Sequence, residues 1–123
     1  MNDRNPGLPN YTGPNSGMFY GVHHDRLFEY SRDINERLTY IDNEKPQRER
    51  TSRRRHICLM LQSDADIPDS VWAESAKLWA ESDKLWAESA KLLLPYRAQL
   101  ETAWLRLVPD NRWDGREIVF DRD

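Results

Sequence analysis

From Asp25 onward, Leu27, Tyr30, Ile34, Leu38 and Ile41 recur at steps of three and four, the spacing that stacks side chains along one helical face. The pattern predicts a short helical turn near 24–29 and a helix over 32–45, with the Ser31 hydroxyl as its N-cap acceptor. Pro46 breaks the pattern and opens a second helix over 46–61, which is apolar only at its end, at Ile57, Leu59, Met60 and Leu61. Residues 63–66 form a polar link. The first 21 residues hold four of the five glycines and three of the seven prolines, and show neither a helical nor an alternating apolar pattern. They read as an irregular arm, with Met18, Phe19 and Tyr20 available to dock on a core.

A repeat of period seven follows: VWAESAK over 71–77, LWAESDK over 78–84 and LWAESAK over 85–91. Seven residues are two helical turns, and Ala, Glu, Lys and Leu are good helix formers. Pro68 suits a first helical position and Asp69 complements the dipole. On a helical wheel the Leu, Ser, Trp and Ala positions fill roughly half the circumference, wider than a two-position zipper seam. Ser75, Ser82 and Ser89 lie between the Leu and Trp rows, where another backbone can approach closely. Leu100, Trp104 and Leu107 carry the period beyond Pro95, so the expectation is one long helix over 68–108, kinked at Pro95. At ~1.5 Å per residue the segment 69–107 would reach about 58 Å, about twice the ~28 Å expected across a compact chain of this size. Beyond Pro109, Asp114–Gly115 stands between Trp113 and an Ile118–Val119–Phe120 run. That pair favours a type I′ turn and a small hairpin or extended tail over 111–121.

These elements assemble into a mainly all-α expectation: an irregular arm over 1–21, then one helical domain over 22–123, with short helices packed on a coiled-coil-like rod. Val71, Trp72, Leu78, Trp79, Leu85, Trp86, Leu92 and Leu93 would offer more apolar surface than the short helices cover. A homo-oligomer is the expected remedy, most simply a two-fold dimer. Asp83, which stands where the other repeats have Ala, would fix its register.

The order YGVHHDRLFEYSRDINERLTYIDNEKP, the basic RRRHICLML, a heptad-repeat helix and a closing VPDNRWDGREIVF resembles a group of small proteins of tailed phages and phage metagenomes, over about residues 20–123. The resemblance implies a viral origin and brings no catalytic residues. Some tails of that group carry a cysteine that is absent here, which argues against a metal site in the tail.

A chain of 123 residues suits one domain, and five Trp, five Tyr and three Phe are too many for a wholly disordered one. Net charge is −3, with 38% hydrophobic and 32% charged residues and a mean hydropathy of −0.90. Cys58 stands alone and no basic start precedes an apolar run, so the expected location is intracellular, and the phage resemblance implies the cytoplasm of a host cell. The longest apolar run, Ile57–Leu61, is far short of the ~20 residues of a membrane span.

The strongest polar feature is Lys45, Arg48, Arg50, Arg53, Arg54 and Arg55, six cations against Glu49 alone, +5 locally and −8 for the rest. Such a division invites internal pairing or an anionic partner, and arginine favours a bidentate grip on phosphate. Regular helical spacing makes the Trp72, Trp79 and Trp86 row core or interface rather than a stacking platform for bases. His23, His24, Asp25, His56 and Cys58 lack the paired spacing of a structural zinc site, and no metal or cofactor is expected. No phosphate loop, dinucleotide fingerprint, nucleophile elbow or H-E-x-x-H is present. The expected function is therefore that of a non-enzymatic, self-associating phage accessory protein that binds a host or viral component. The alternative is a sequestering or recognition module for a nucleotide or nucleic-acid phosphate, gripped by the Arg-rich helix.

Overall fold

Gly17–Tyr20 (β1) and Phe28–Ser31 (β2) pair antiparallel, with Met18 opposite Tyr30, Phe19 opposite Glu29 and Tyr20 opposite Phe28. The computed structural model of the chain describes residues 4–81 and 86–120. Cys58–Leu59 (β3) joins the other edge of β1, giving a three-stranded antiparallel sheet in the order β2-β1-β3. The helices are Ile34–Glu44 (α1), Gln47–His56 (α2), Asp69–Glu81 (α3), Trp86–Lys91 (α4) and Arg97–Leu107 (α5).

The register divides the sheet into two faces, because side chains alternate along a strand. Phe19 packs with Val22, with Ile34, Leu38 and Ile41 of α1, and with Ile57. Met18, Tyr20 and Phe28 pack on the opposite side with Leu93, Leu100, Trp104 and Ile118. The sheet thus lies between α1 and the group α3–α5. Trp104, fully buried, ties this second layer together: its ring stacks on Tyr20 at 6.0 Å and 7°, and its Nε1 donates to the His56 carbonyl at 2.9 Å.

The all-α expectation is overturned by this sheet. All four residues of β1 are buried, since helices cover both faces, so the apolar–polar alternation that marks a half-exposed strand is missing. Leu27 and Tyr30, which continue a helical period on paper, belong to the approach to β2 and to β2 itself. The first long helix starts at Ile34, capped by Asp33, whose Oδ1 accepts the Asn35 amide at 3.0 Å, rather than by Ser31. The second ends at His56, and its expected last turn is β3.

The long heptad rod over 68–108, and with it the coiled coil, is also overturned. Ser75 and Ser89 would be about 21 Å apart on a continuous helix. Here their hydroxyls lie 2.8 Å apart, and each also stands within hydrogen-bond distance of the other's carbonyl, Ser75 Oγ at 3.2 Å and Ser89 Oγ at 3.1 Å, so that two hydroxyl hydrogens are shared among three contacts. α3 and α4 therefore pack on each other, the first repeat against the third. The physical reason is the demand that predicted a dimer: apolar faces need cover, and the chain's own neighbouring repeat supplies it. The expectation for Asp83 and Leu85 falls outside the described residues. Pro95 does not kink a helix; it opens the 3-10 turn Leu94–Tyr96 that leads into α5, where a missing amide hydrogen costs nothing.

The expected irregular arm over 1–21 is corrected at 17–20, which form the central strand; residues 4–16 are irregular and docked. The Arg4 carbonyl accepts the Leu59 amide at 2.7 Å, its guanidinium meets Asp64 at 2.9 Å, and buried Asn5 donates to the Arg55 carbonyl at 2.7 Å. At the other end Trp113 and Ile118 form a single bridge around a turn in which Asp114 Oδ1 accepts the Arg116 and Glu117 amides, both at 2.9 Å. Only Gly115 has positive φ there, so the turn is not type I′.

Candidate anion-binding cleft

The loop 21–27 between β1 and β2 is turned by Gly21, at φ 70°, and closed by the Gly21 amide donating to the Leu27 carbonyl at 3.2 Å. Alternation in β2 then puts Glu29 on the α1 side of the sheet, away from Phe28 and Tyr30. On α1, Arg37 lies between the core residues Ile34 and Ile41, and Tyr40 follows it by three. Loop, strand and helix thereby face one another.

Glu29 is buried. His23 Nδ1 hydrogen-bonds its Oε1, and Arg26 Nη1 donates to its Oε2 at 3.4 Å. This carboxylate is thus already neutralised. Arg37 is held otherwise. Its Nε donates to the Val22 carbonyl at 2.9 Å, and its guanidinium carbon lies 5.1 Å from the Tyr40 ring centre, whose ring also has Lys45 Nζ at 5.3 Å. Burial first, then the nearby Arg53 charge, pull Arg37 below its ordinary range, while Tyr40 and Glu29 oppose the shift. An arginine remains charged all the same. Two adjoining clefts, of 350 and 490 Å³, share His23, Glu29 and Arg37 as walls. Arg32 and Glu36 line the first, Arg26, Tyr40 and Lys45 the second.

The basic run on α2 is spread among internal partners. Arg53 donates to Glu49 through Nη2 at 2.7 Å and lies over the Phe120 ring at 4.3 Å. Arg54 pairs with Asp42 at 2.9 Å and reaches the Gly7 carbonyl at 3.2 Å. Arg55 Nε is 3.1 Å from Asp110 Oδ2, within range of charge attraction though not aligned as a hydrogen bond. Arg50 Nε donates to the Lys45 carbonyl at 2.9 Å, and Arg48 also has a partner. Only Lys45 of the six lines the cleft.

Of the expected interface, Trp79 stacks on Tyr30 at 5.7 Å and meets Trp72 edge-on at 6.1 Å. Val71 and both tryptophans pack on the core, Leu93 is fully buried, and Leu78 and Leu92 are half-buried. Leu85 is outside the described residues, and Trp86 is described only as the start of α4.

His56 is buried with both ring nitrogens engaged, Nδ1–H donating to the Ser52 carbonyl at 2.7 Å and Nε2 accepting the Arg112 amide at 2.9 Å. A ring so used has no nitrogen left to act as a base for Cys58, itself buried. Among the described residues no three His, Cys, Asp or Glu side chains group as metal ligands, and no helix is long and apolar enough to cross a membrane.

Arg37, Glu29, Tyr40 and Arg26 were not among the residues singled out from sequence. A signal was there: Arg37 sits three residues after Ile34 and four before Ile41, at the margin of the apolar row. No family model, curated protein or solved structure matches this chain.

Proposed function

We propose that the protein is a non-enzymatic recognition module for an anionic group, phosphate or carboxylate, held in the cleft between the 21–27 loop, β2 and α1. Arg37 is the observation that carries this reading. A part-buried guanidinium is costly to desolvate without a counter-charge, and among the described residues no carboxylate forms an ion pair with Arg37. With Nε committed to Val22, the two terminal nitrogens remain for a bidentate grip on an anion. Lys45 adds positive charge to the same wall, where Arg26 is set against Glu29. The α2 arginines support the contrast, since Arg53, Arg54 and Arg55 each have a carboxylate at hand. The resemblance to phage proteins supports a host or viral component as the bearer of the anion, inside an infected cell.

Titration calorimetry with inorganic phosphate and thymidine monophosphate at low salt tests the reading. Arg37→Gln should lower affinity roughly tenfold or more, the worth of one charge-assisted hydrogen bond, with an unchanged circular-dichroism spectrum. Arg54→Gln, at a carboxylate-paired position, should leave affinity unchanged. Absence of any binding by the wild type, or binding indifferent to Arg37, refutes it.

A further inference from the structure

Three clefts on one side of the molecule share walls. The 350 and 490 Å³ clefts share Arg37, and the second shares Asp25 and Arg26 with a third of 220 Å³ that is lined by Arg97, Trp113 and Arg116 as well. The tail is pinned to the loop where the Ile118 amide donates to the His24 carbonyl at 2.6 Å, which holds the Arg116 turn beside Arg26. The result is a groove with Lys45 and Arg37 at one end and Arg97 and Arg116 at the other. We infer that the anion recognised at Arg37 belongs to a single-stranded nucleic acid, whose backbone continues past Arg26 to Arg97 and Arg116; the inference rests on the reading of the Arg37 cleft.

Acidic groups also line the groove, and most are engaged. Glu29 is held by His23 and Arg26, Asp33 caps α1, and Asp114 Oδ1 holds its own turn. Glu101 accepts the Trp113 Nε1–H at 2.9 Å and stands 3.9 Å from Arg97, too far to occupy that guanidinium fully. Asp25, Glu36 and Glu117 remain, against Lys45, Arg37, Arg97 and Arg116, with Arg26 set against Glu29. The recessed shape with Tyr40 and Trp113 in its walls suits unpaired bases, which can turn toward aromatic rings, better than the rigid rod of a duplex. A chain of net charge −3 is also poorly suited to duplex binding, which depends on many phosphate contacts at once.

Fluorescence anisotropy with a labelled oligothymidylate about ten nucleotides long, beside calorimetry with thymidine monophosphate, tests the inference on the full chain. The oligonucleotide should bind at least tenfold tighter than the mononucleotide. Its affinity should fall with salt at a logarithmic slope of about −0.7 per phosphate engaged. Arg97→Gln and Arg116→Gln should each lower oligonucleotide affinity a few-fold and flatten that slope, leaving mononucleotide affinity unchanged; Arg37→Gln should lower both. An oligonucleotide no tighter than the mononucleotide overturns this inference and leaves the Arg37 reading standing, whereas binding of neither overturns both. Equal affinity for a duplex of the same length, or for an oligoglutamate peptide, overturns the single-stranded identity of the ligand.

Discussion

Ser75→Ala, Ser89→Ala and the double variant make a thermodynamic cycle on the contact that separates a folded-back repeat from a rod. Both serines are fully buried, and their hydroxyls meet at 2.8 Å, one donating to the other, with each hydroxyl oxygen also near the other's carbonyl. Either single change removes a neutral hydrogen bond and should cost about 1 kcal/mol. The hydroxyl–hydroxyl contact is lost in both singles but can be lost only once in the double. The double variant should therefore cost about 0.5–1 kcal/mol less than the sum. On a continuous helix, with the two sites about 21 Å apart, the costs would add within ~0.3 kcal/mol. Ser75→Leu sharpens the contrast by changing the sign. Overpacking against α4 should cost about 1–3 kcal/mol, lowering the melting temperature by roughly 3–5 °C per kcal/mol, whereas on a rod leucine would add a few tenths of a kcal/mol of helix propensity. Urea and thermal unfolding followed by circular dichroism measure all four variants. Additive alanines together with a stabilising leucine would refute the folded-back arrangement.

His56 is neutral and fully hydrogen-bonded in the fold, and burial holds its pKa below the ordinary 6.5. The unfolded chain then takes up the proton first, so stability should be complete above about pH 6.5 and fall as pH drops below it, by at most about 1.4 kcal/mol per pH unit. His56→Gln should lower the melting temperature at neutral pH and flatten that acid slope, and an unchanged slope would contradict the assignment. Gly21→Ala meets two obstacles: φ is +70°, and a Cβ would stand 2.6 Å from the His56 carbonyl oxygen and 2.9 Å from the Trp104 ring. A loss of about 3 kcal/mol is expected from strain and overpacking together, read by urea unfolding, and a loss below ~1 kcal/mol would show that the loop yields.

What was legible in the sequence was whatever imposes a period on a surface helix. Ile34, Leu38 and Ile41 bury one face of α1, as their spacing requires. Among the described residues the heptads form the helices α3 and α4, and Leu100 and Trp104 lie on the buried side of α5. The sheet was not legible because its central strand is covered on both faces and β3 has only two residues. The fold-back was hidden for a different reason: three near-identical repeats look the same to a period count whether they continue or reverse. Ser75 and Ser89 did mark a place for close approach, and what approaches Ser75 is the third repeat of the same chain; Ser82 lies outside the described residues. Charge misled in a similar way. A dense basic run draws the eye, yet Arg53, Arg54 and Arg55 each have a carboxylate at hand, whereas Arg37, alone on α1 beside an apolar row, is held by a carbonyl and, among the described residues, forms no ion pair.

The repeat and the cleft are parts of one construction. The Trp and Leu rows need cover, and association of two chains costs ~4–15 kcal/mol of translational and rotational freedom. Closing a short link inside one chain costs far less, since loop entropy grows only by about 0.6 kcal/mol per doubling of length. Folding back lets Trp79 stack on Tyr30 and sets α4 against β2. β2 is an edge strand of only four residues, with Tyr30 on the face toward the repeat and Glu29 on the face toward α1. Bracing one face fixes the other: with Tyr30 held by Trp79, the strand cannot roll, and Glu29 keeps its place beside His23 and Arg26. The feature that dominates the sequence thus acts at a distance from the candidate site, as the support that keeps its buried carboxylate and the loop arginine in position.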